Sequence, residues 1–354
     1  GRNNKSPQGE FYYRDLSKPV YEKDMDPESI EFLKEAFPEM MAKPHGEAKS
    51  ILPYFPGYEY KFGKSTYLGE DAGEGGFAEG VPGCYINCAL LDVASMHPHS
   101  AMAEVIFGPR FTKAFHQIVY SRVHIKHKAW DIVDGYLDGK LRPYIEKCKA
   151  GEMSSKSLAN ALKTAINSVY GLTAASFDNA FRDPRNVDNI VAKRGALFMI
   201  ELKHELIKRG YKVAHIKTDS IKLPNATPEL IRFVMDFGKR YGYTFEHEAT
   251  YEKMVLVNDA VYIAKYASPE ACEKMYGYVP GDNADHAEDH GWTATGTQFQ
   301  IPFVFKKLFS KEPILFEDLC STFSVSKGAL YLDMDENEDQ DRKAWVEDRI
   351  KKND

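Results

Sequence analysis

Two aspartates and one three-residue helix face carry the chemistry that can be read from this sequence. Asp92 closes the apolar run "CYINCALLDV", and Asp219 stands in "VAHIKTDSIKLP", on a turn between two short apolar stretches. Between them, "KTAINSVYG" sets Lys163, Asn167 and Tyr170 at intervals of four and three, which places all three on one face of a helix. An aspartate on a turn is ordinarily solvated, because Asp and Ser favour turns for their local hydrogen bonds. Beside a second acid at a strand end it has another use. Phosphoryl transfer assisted by two metal ions needs carboxylates from separate elements, converging on ions roughly 3.5 to 4 Å apart that hold the attacking and leaving oxygens. A lysine on a facing helix neutralises triphosphate charge, and amides in the tight turn after Asp92 bind phosphate oxygens.

The elements that must position these groups follow from periodicity. "CYINCALLDV" reads as a buried strand. It is preceded by "STYLGEDAGEGGFAEGVPG", whose glycines predict a loop with unusual dihedrals. "ASMHPHSAMAEVIFG" predicts a short helix stopped by Gly108-Pro109, and residues 111–150 a long helical pattern broken by "DGKLRP". In "SKSLANALKTAINSVYGL" Leu158, Leu162, Ile166 and Val169 recur at helical spacing. Another helix runs from Val191 to Arg209, closed by Gly210. The hairpin around Asp219 follows, then the helix "TPELIRFVMDFGKRYG", and "YTFEHEATYEKMVLVNDAVYIAKY" reads as two or three antiparallel strands. Before all this lies a lead-in with one helix, "DPESIEFLKEAFPEMM", opened by an Asp-Pro cap signal.

In their order these segments resemble the family B DNA polymerases. The first motif of that family, an Asp followed by Ser-Leu-Tyr-Pro-Ser, is similar to "DVASMHPHS"; its second is met by "KTAINSVYG"; its third, Asp-Thr-Asp-Ser on a hairpin, is similar to "KTDS". The Gly-rich "GEGGFAEGVPGCY" resembles the family's approach to its first motif, and the likeness runs over residues 60–266. It implies an α+β right-hand fold: an antiparallel palm sheet, helical fingers and a small thumb. The implied division is a lead-in over 1–60, palm over 61–110 and 164–266, fingers over 111–163, and thumb with an acidic tail over 267–354. It also implies that Asp92 and Asp219 hold two magnesium ions, with manganese as a substitute, and that Val93 lends its backbone carbonyl. Ser95, Met96, His97, Lys163, Asn167, Tyr170 and Gly171 would then meet the incoming nucleotide.

The departures from the family pattern are specific. His97 stands where the family has a tyrosine that packs on the deoxyribose, which puts sugar selection in question; an imidazole can also stack on a sugar. Lys217 replaces the first acid of the third motif, and it is expected to touch a primer phosphate. Among further basic residues for the triphosphate, Arg142, Lys140 and the pair Arg122 and Lys126 are candidates, with Arg142 preferred. Tyr262 and Lys265, in "NDAVYIAK", are candidates for the primer, with plain strand packing as the alternative. "DHAEDH", holding His286 and His290, has metal-ligand types but reads as a solvated acidic loop. No segment resembles the family's exonuclease motifs. That activity is expected in a region cut away or in a separate polypeptide, and the start "GRNNKSPQ", without Met, favours a cut. The compact fingers and the His-Pro of the first motif look more like viral or phage members.

Composition bounds the rest. At 354 residues and 43% hydrophobic content the chain can bury a sizeable core. No run of eighteen apolar residues and no signal-peptide core occurs, so a soluble protein in a cytoplasm, a phage host's included, with no membrane partner, is expected. The five cysteines form no CxxC pair, which argues against a disulfide framework or structural zinc. The net charge of -6 excludes a uniformly basic nucleic-acid binder, yet residues 110–163 hold eleven Lys/Arg against five Asp/Glu, while "DMDENEDQD" is acidic. The expected activity is template-directed extension of a primer on DNA with deoxynucleoside triphosphates. Rivals are a reverse transcriptase, a nucleotidyl cyclase, which has no use for "KTAINSVYG", and a non-catalytic nucleic-acid-binding palm, which would have lost one of the two acids.

Overall fold

Asp26 opens the first helix, α1 (Pro27–Ala36), by accepting from the Ser29 N–H in this computed structural model, as the Asp-Pro signal predicts. The structure describes residues 14–42, 50–173, 189–287, 291–296 and 311–320, and single residues 175, 177, 179, 181, 303, 306 and 307. His290 and the acidic run 333–341 lie outside them. The expected single lead-in helix is two, because Pro38 cannot donate within a helix and instead starts α2 (Pro38–Ala42). β1 (Glu59–Lys61), β2 (Lys64–Tyr67) and β3 (Glu70–Asp71) form a small antiparallel sheet, so part of the expected Gly-rich loop is strand. So is β4 (Ala78–Gly80).

β5 (Gly83–Val93) is the expected buried strand. The helix after it, α3 (Met96–Ala103), ends before Gly108-Pro109, and that pair opens α4 (Gly108–Lys126) instead of stopping α3. Proline's fixed φ suits a first helical turn, which is why it starts the next helix. The expected long pattern then splits into α5 (Trp130–Asp134) and α6 (Arg142–Lys149), and α7 (Ser155–Thr173) follows. After α8 (Ile190–Lys208) come β6 (His215–Lys217), β7 (Ser220–Leu223), α9 (Pro228–Lys239), β8 (Phe245–Asn258) and β9 (Val261–Tyr266). α10 (Pro269–Tyr276), α11 (Gly281–Asp285) and β10 (Trp292–Thr295) close the series.

The molecule is mixed α+β, built on a seven-stranded antiparallel sheet in the order β10-β9-β8-β5-β7-β6-β4. Alternation along β5 divides its side chains: Ala89, Leu91 and Val93 enter the main core with Leu197 and Phe198 of α8 and Leu230 and Val234 of α9. Cys88 and Leu90 enter a smaller core on the other face with Tyr251, Met254, Leu256 and Tyr266. The sheet curls around this smaller core. At Gly80 an added Cβ would lie 3.1 Å from the Asp259 backbone, and the Asp259 carbonyl accepts from His215 Nε2 at 2.8 Å, so the β8–β9 turn folds over to β4 and β6. A third core lies at the far ends of α4 and α7, where Ile125, Val133, Leu141, Ile145 and Leu158 meet.

Opposite the concave face, Glu104 just past α3 is 1% exposed and sits between two guanidinium groups: Arg14 Nε at 2.8 Å and Arg194 Nε, from α8, at 2.7 Å. Arg194 also donates to the Tyr241 carbonyl at 2.7 Å and lies over the Tyr243 ring. The described residues from 295 onward belong to a second unit, in which Lys306 pairs with Asp318 at 2.9 Å beside the 3-10 turn Phe316–Leu319. No helix among the described residues is long and apolar enough to cross a membrane.

Candidate active site

Strand register builds the floor of the site. Lys217 of β6 opposes Ser220 of β7, Ser220 opposes Asp92 of β5, and Asp92 opposes Glu246 of β8. Directly opposed residues of antiparallel strands project to the same side, so these four form one row across the concave face. Asp219 adds a carboxylate from the two-residue turn next to the row. That turn is held at three points. Thr218 is left-handed (φ 55) and its N–H donates to the Phe77 carbonyl at 2.9 Å. The Val93 N–H donates to the Asp219 carbonyl at 2.8 Å, fixing the turn to the end of β5. Gly76 (φ 146) lies so near that an added Cβ would be 2.9 Å from Thr218 Cγ2, which explains one of the glycines in the approach segment. A bulge supplies a fourth acid: Leu90 opposes Ala249 and Leu91 opposes His247, leaving Glu248 as the extra residue.

Above this floor lies a cleft of about 470 Å³. Asp92, Asp219, Glu246 and Glu248 line it from the sheet, and Val93, Ser95, Met96 and His97 from the end of β5 and the start of α3. Lys163, Asn167 and Tyr170 line it from α7, as their spacing predicts, and Arg122 and Lys126, four apart, from α4. Ser95 takes a left-handed conformation (φ 54), which turns the chain sharply from β5 into α3. The His97 ring stacks on Tyr170 at 4.6 Å and 11°, joining the two walls, and its Nδ1 is buried with no hydrogen-bond partner among the described residues. Burial holds its imidazole below the ordinary histidine value. Arg122 Nη1 reaches Ser95 Oγ at 3.4 Å.

Acids are thus gathered on the floor and cations on the helical walls. The Asp92 carboxyl is pushed up to about 8, first by burial and then by the charges of Asp219, Glu248 and Glu246. Glu248 is raised too, by burial and then by Asp282, Glu246 and Asp219. An acid cluster of this kind is stabilised by cations. Among the described residues no three His, Cys, Asp or Glu side chains form a ready-made metal cage. Magnesium does not ask for one: it takes one or two carboxylates and completes its shell with water and phosphate oxygens, and hard carboxylate oxygens are the donors it prefers. Asp92 and Asp219 fit that requirement.

Other residues expected at the site lie elsewhere. Gly171 is exposed on α7 and does not line the cleft. Arg142 is held by Asp134 through two bonds of 2.8 and 2.9 Å, outside the cleft. Lys217 is exposed at the outer end of the acid row. Tyr262 packs beside Tyr251 and over Lys222, and Lys265 pairs with Glu252 at 3.2 Å. His286 stacks on Tyr266 at 4.6 Å. Conversely, Glu246 and Glu248 line the cleft without belonging to any motif, and their spacing of two in "FEHE" is a same-face signal for a strand. Arg122 and Lys126, rather than Arg142, are the basic candidates that reach the cleft.

No protein-family model matches the chain, and no curated protein does. Among solved structures it is similar to the family B DNA polymerase from the hyperthermophilic archaeon Pyrobaculum calidifontis. The sequence identity is 16% and the TM-score 0.39, over 68% of this chain and 31% of that one. The chain therefore spans less than a third of that polymerase's length.

Proposed function

We propose that this chain is the core of a template-directed DNA polymerase that adds deoxynucleotides to a primer 3′ end. The observation that carries the reading is the cleft itself: Asp92 at the end of β5 and Asp219 on the β6–β7 turn line one cavity with Lys163 and Asn167 of α7. In this reading the curled sheet is the palm, α4 to α7 the fingers, and the chain after β9 the start of the thumb. Asp92, Asp219 and the Val93 carbonyl hold two magnesium ions, or manganese in their place. Bound there, the ions supply compensation for charge on the phosphate under attack and on the leaving oxygen.

The protein's own groups do the rest. Lys163, Arg122 and Lys126 meet the triphosphate from the helical walls, and their cationic donors bind phosphate through charge-assisted hydrogen bonds. The stacked pair of His97 and Tyr170 is a flat surface at the turn after Asp92, suited to lie along the sugar and base of the incoming nucleotide. Asn167 orients that nucleotide from the same helix face. The exposed, row-end position of Lys217 agrees with a primer phosphate contact.

Primer extension by the purified chain with magnesium, on DNA and RNA templates, tests the reading. Extension is expected on DNA. Asp219→Asn is expected to slow it by about a thousandfold or more, since several kcal/mol of charge compensation is lost, while primer-template binding persists. Wild-type rates in that variant would overturn the assignment, and preference for an RNA template would favour the reverse transcriptase.

A further inference from the structure

Lys222 of β7 is 3% exposed, and among the described residues no carboxylate lies within 4.0 Å of its ammonium. Lysines are almost never buried this far without a charged partner. Its surroundings are built for it nonetheless. Nζ donates to His215 Nδ1 at 3.2 Å and lies 4.7 Å from the centre of the Tyr262 ring. His215, 1% exposed, passes the polarity on by donating from Nε2 to the Asp259 carbonyl at 2.8 Å. That arrangement fixes the tautomer: Nδ1 can accept from Lys222 only when Nε2 carries the proton.

The register shows what the ammonium is near. Lys222 opposes Leu90, two residues before Asp92 on β5, and it lies two residues after Ser220, which opposes Asp92. Residues two apart on a strand share a face, so Lys222 lies on the concave face one row, about 7 Å, behind the acids. The field acts in both directions: the Lys222 charge pulls the Asp92 carboxyl down, while burial, helped by Lys217, lowers the lysine to about 8 even though Cys88, Asp92 and Glu248 pull it up.

We propose that Lys222 is a positioning residue that holds down the divalent-cation affinity of the acid cluster, so that the empty cleft does not load ions tightly before a nucleotide brings its own. The proposal rests on the metal-site reading above. Four carboxylates on one floor would form a strongly negative site, and a fixed buried cation behind them weakens it without occupying a coordination position. Burial makes this charge effective, because a shielded ammonium is little screened by salt or solvent.

The test is Mn²⁺ binding to the full chain, without nucleotide or DNA, by titration calorimetry at pH 7. Lys222→Gln keeps an N–H for His215 and removes the charge; it is expected to tighten Mn²⁺ binding by at least about threefold to tenfold, the size of a divalent–monovalent interaction at roughly 7–10 Å screened as in water, and by more as the effective dielectric falls. A divalent ion feels the missing charge twice as strongly as a competing proton, so the tightening persists where Asp92 is partly protonated. Lys222→Arg is expected to keep wild-type affinity. Damage to the fold would weaken binding, the opposite sign, so a gain cannot come from misfolding, and Lys222→Met, without a donor, gives a second neutral variant. Unchanged or weaker Mn²⁺ binding in folded Lys222→Gln would overturn the proposal. Should wild type bind no Mn²⁺, or Asp92→Asn bind it as wild type does, the metal-site reading itself fails.

Discussion

Under the proposed metal-binding role, Asp92 would face opposite demands with and without the ions, and the metal-free side of this has a measurable sign. Its folded value, about 8, lies above the ordinary 3.8, so folding favours the protonated carboxyl. The contribution to stability is therefore fully present below about pH 4 and is lost as pH rises through about 8. Thermal unfolding of metal-free protein is expected to move to lower temperature between those limits, and Asp92→Asn is expected to flatten the difference. Divalent ions should restore the loss at the alkaline end. His97 offers a second expectation at this scale. Its ring is fixed against Tyr170, so under the proposed function His97→Ala would open space beside the nucleotide's sugar and should raise ribonucleotide relative to deoxyribonucleotide incorporation several-fold; competitive single-nucleotide incorporation reads the ratio. Asp92, Asp219, Lys163, Asn167 and Tyr170 were legible because each stands in a short contiguous pattern. Lys222 was not, because inward alternation on a strand looks the same for a lysine as for the isoleucine beside it until the opposing strands are in place.

At the scale of elements, the turn carrying Asp219 depends on a neighbour far away in sequence. Thr218 is held left-handed by the Phe77 carbonyl, and Gly76 leaves room for its methyl group. Gly76→Ala is expected to cost about 1–3 kcal/mol through strain at φ 146 and the clash at 2.9 Å, with a larger relative loss of extension rate than of stability. Thr218→Ser in that background removes the clashing methyl group and should recover part of the rate; unfolding midpoints and single-turnover rates separate the two effects. The Gly-rich segment was legible as a backbone constraint, but its partner was not, since a glycine states that something is close and never what. A like limit applies to Glu248: its same-face spacing with Glu246 can be read in the sequence, but not the bulge that makes it the extra residue of β8 beside Asp92. The boundary at Gly108-Pro109 was hidden as well, because a Pro pair reads equally as the end of one helix and the start of the next.

Across the whole molecule, the lead-in, α3 and α8 are joined at Glu104, where one carboxylate serves two buried guanidinium groups. Glu104→Ala leaves Arg14 and Arg194 uncompensated and is expected to destabilise the protein by about 3–5 kcal/mol, measured by urea unfolding. Nothing in the sequence couples three residues so far apart, so this junction belongs to tertiary structure alone. The central sheet and the long helices, by contrast, were legible from period and caps. The separate core at the far ends of α4 and α7 has a practical consequence of another kind. Its turn Leu137–Gly139 has exposed or half-buried residues with two left-handed non-glycine positions, Leu137, which packs against the core, and Asp138, which is exposed. Because that core is built on α4 and α7, the helices that also carry Arg122, Lys126, Lys163 and Asn167, a fluorophore placed at exposed Asp138 would report on the seating of the helical wall without itself entering the cleft.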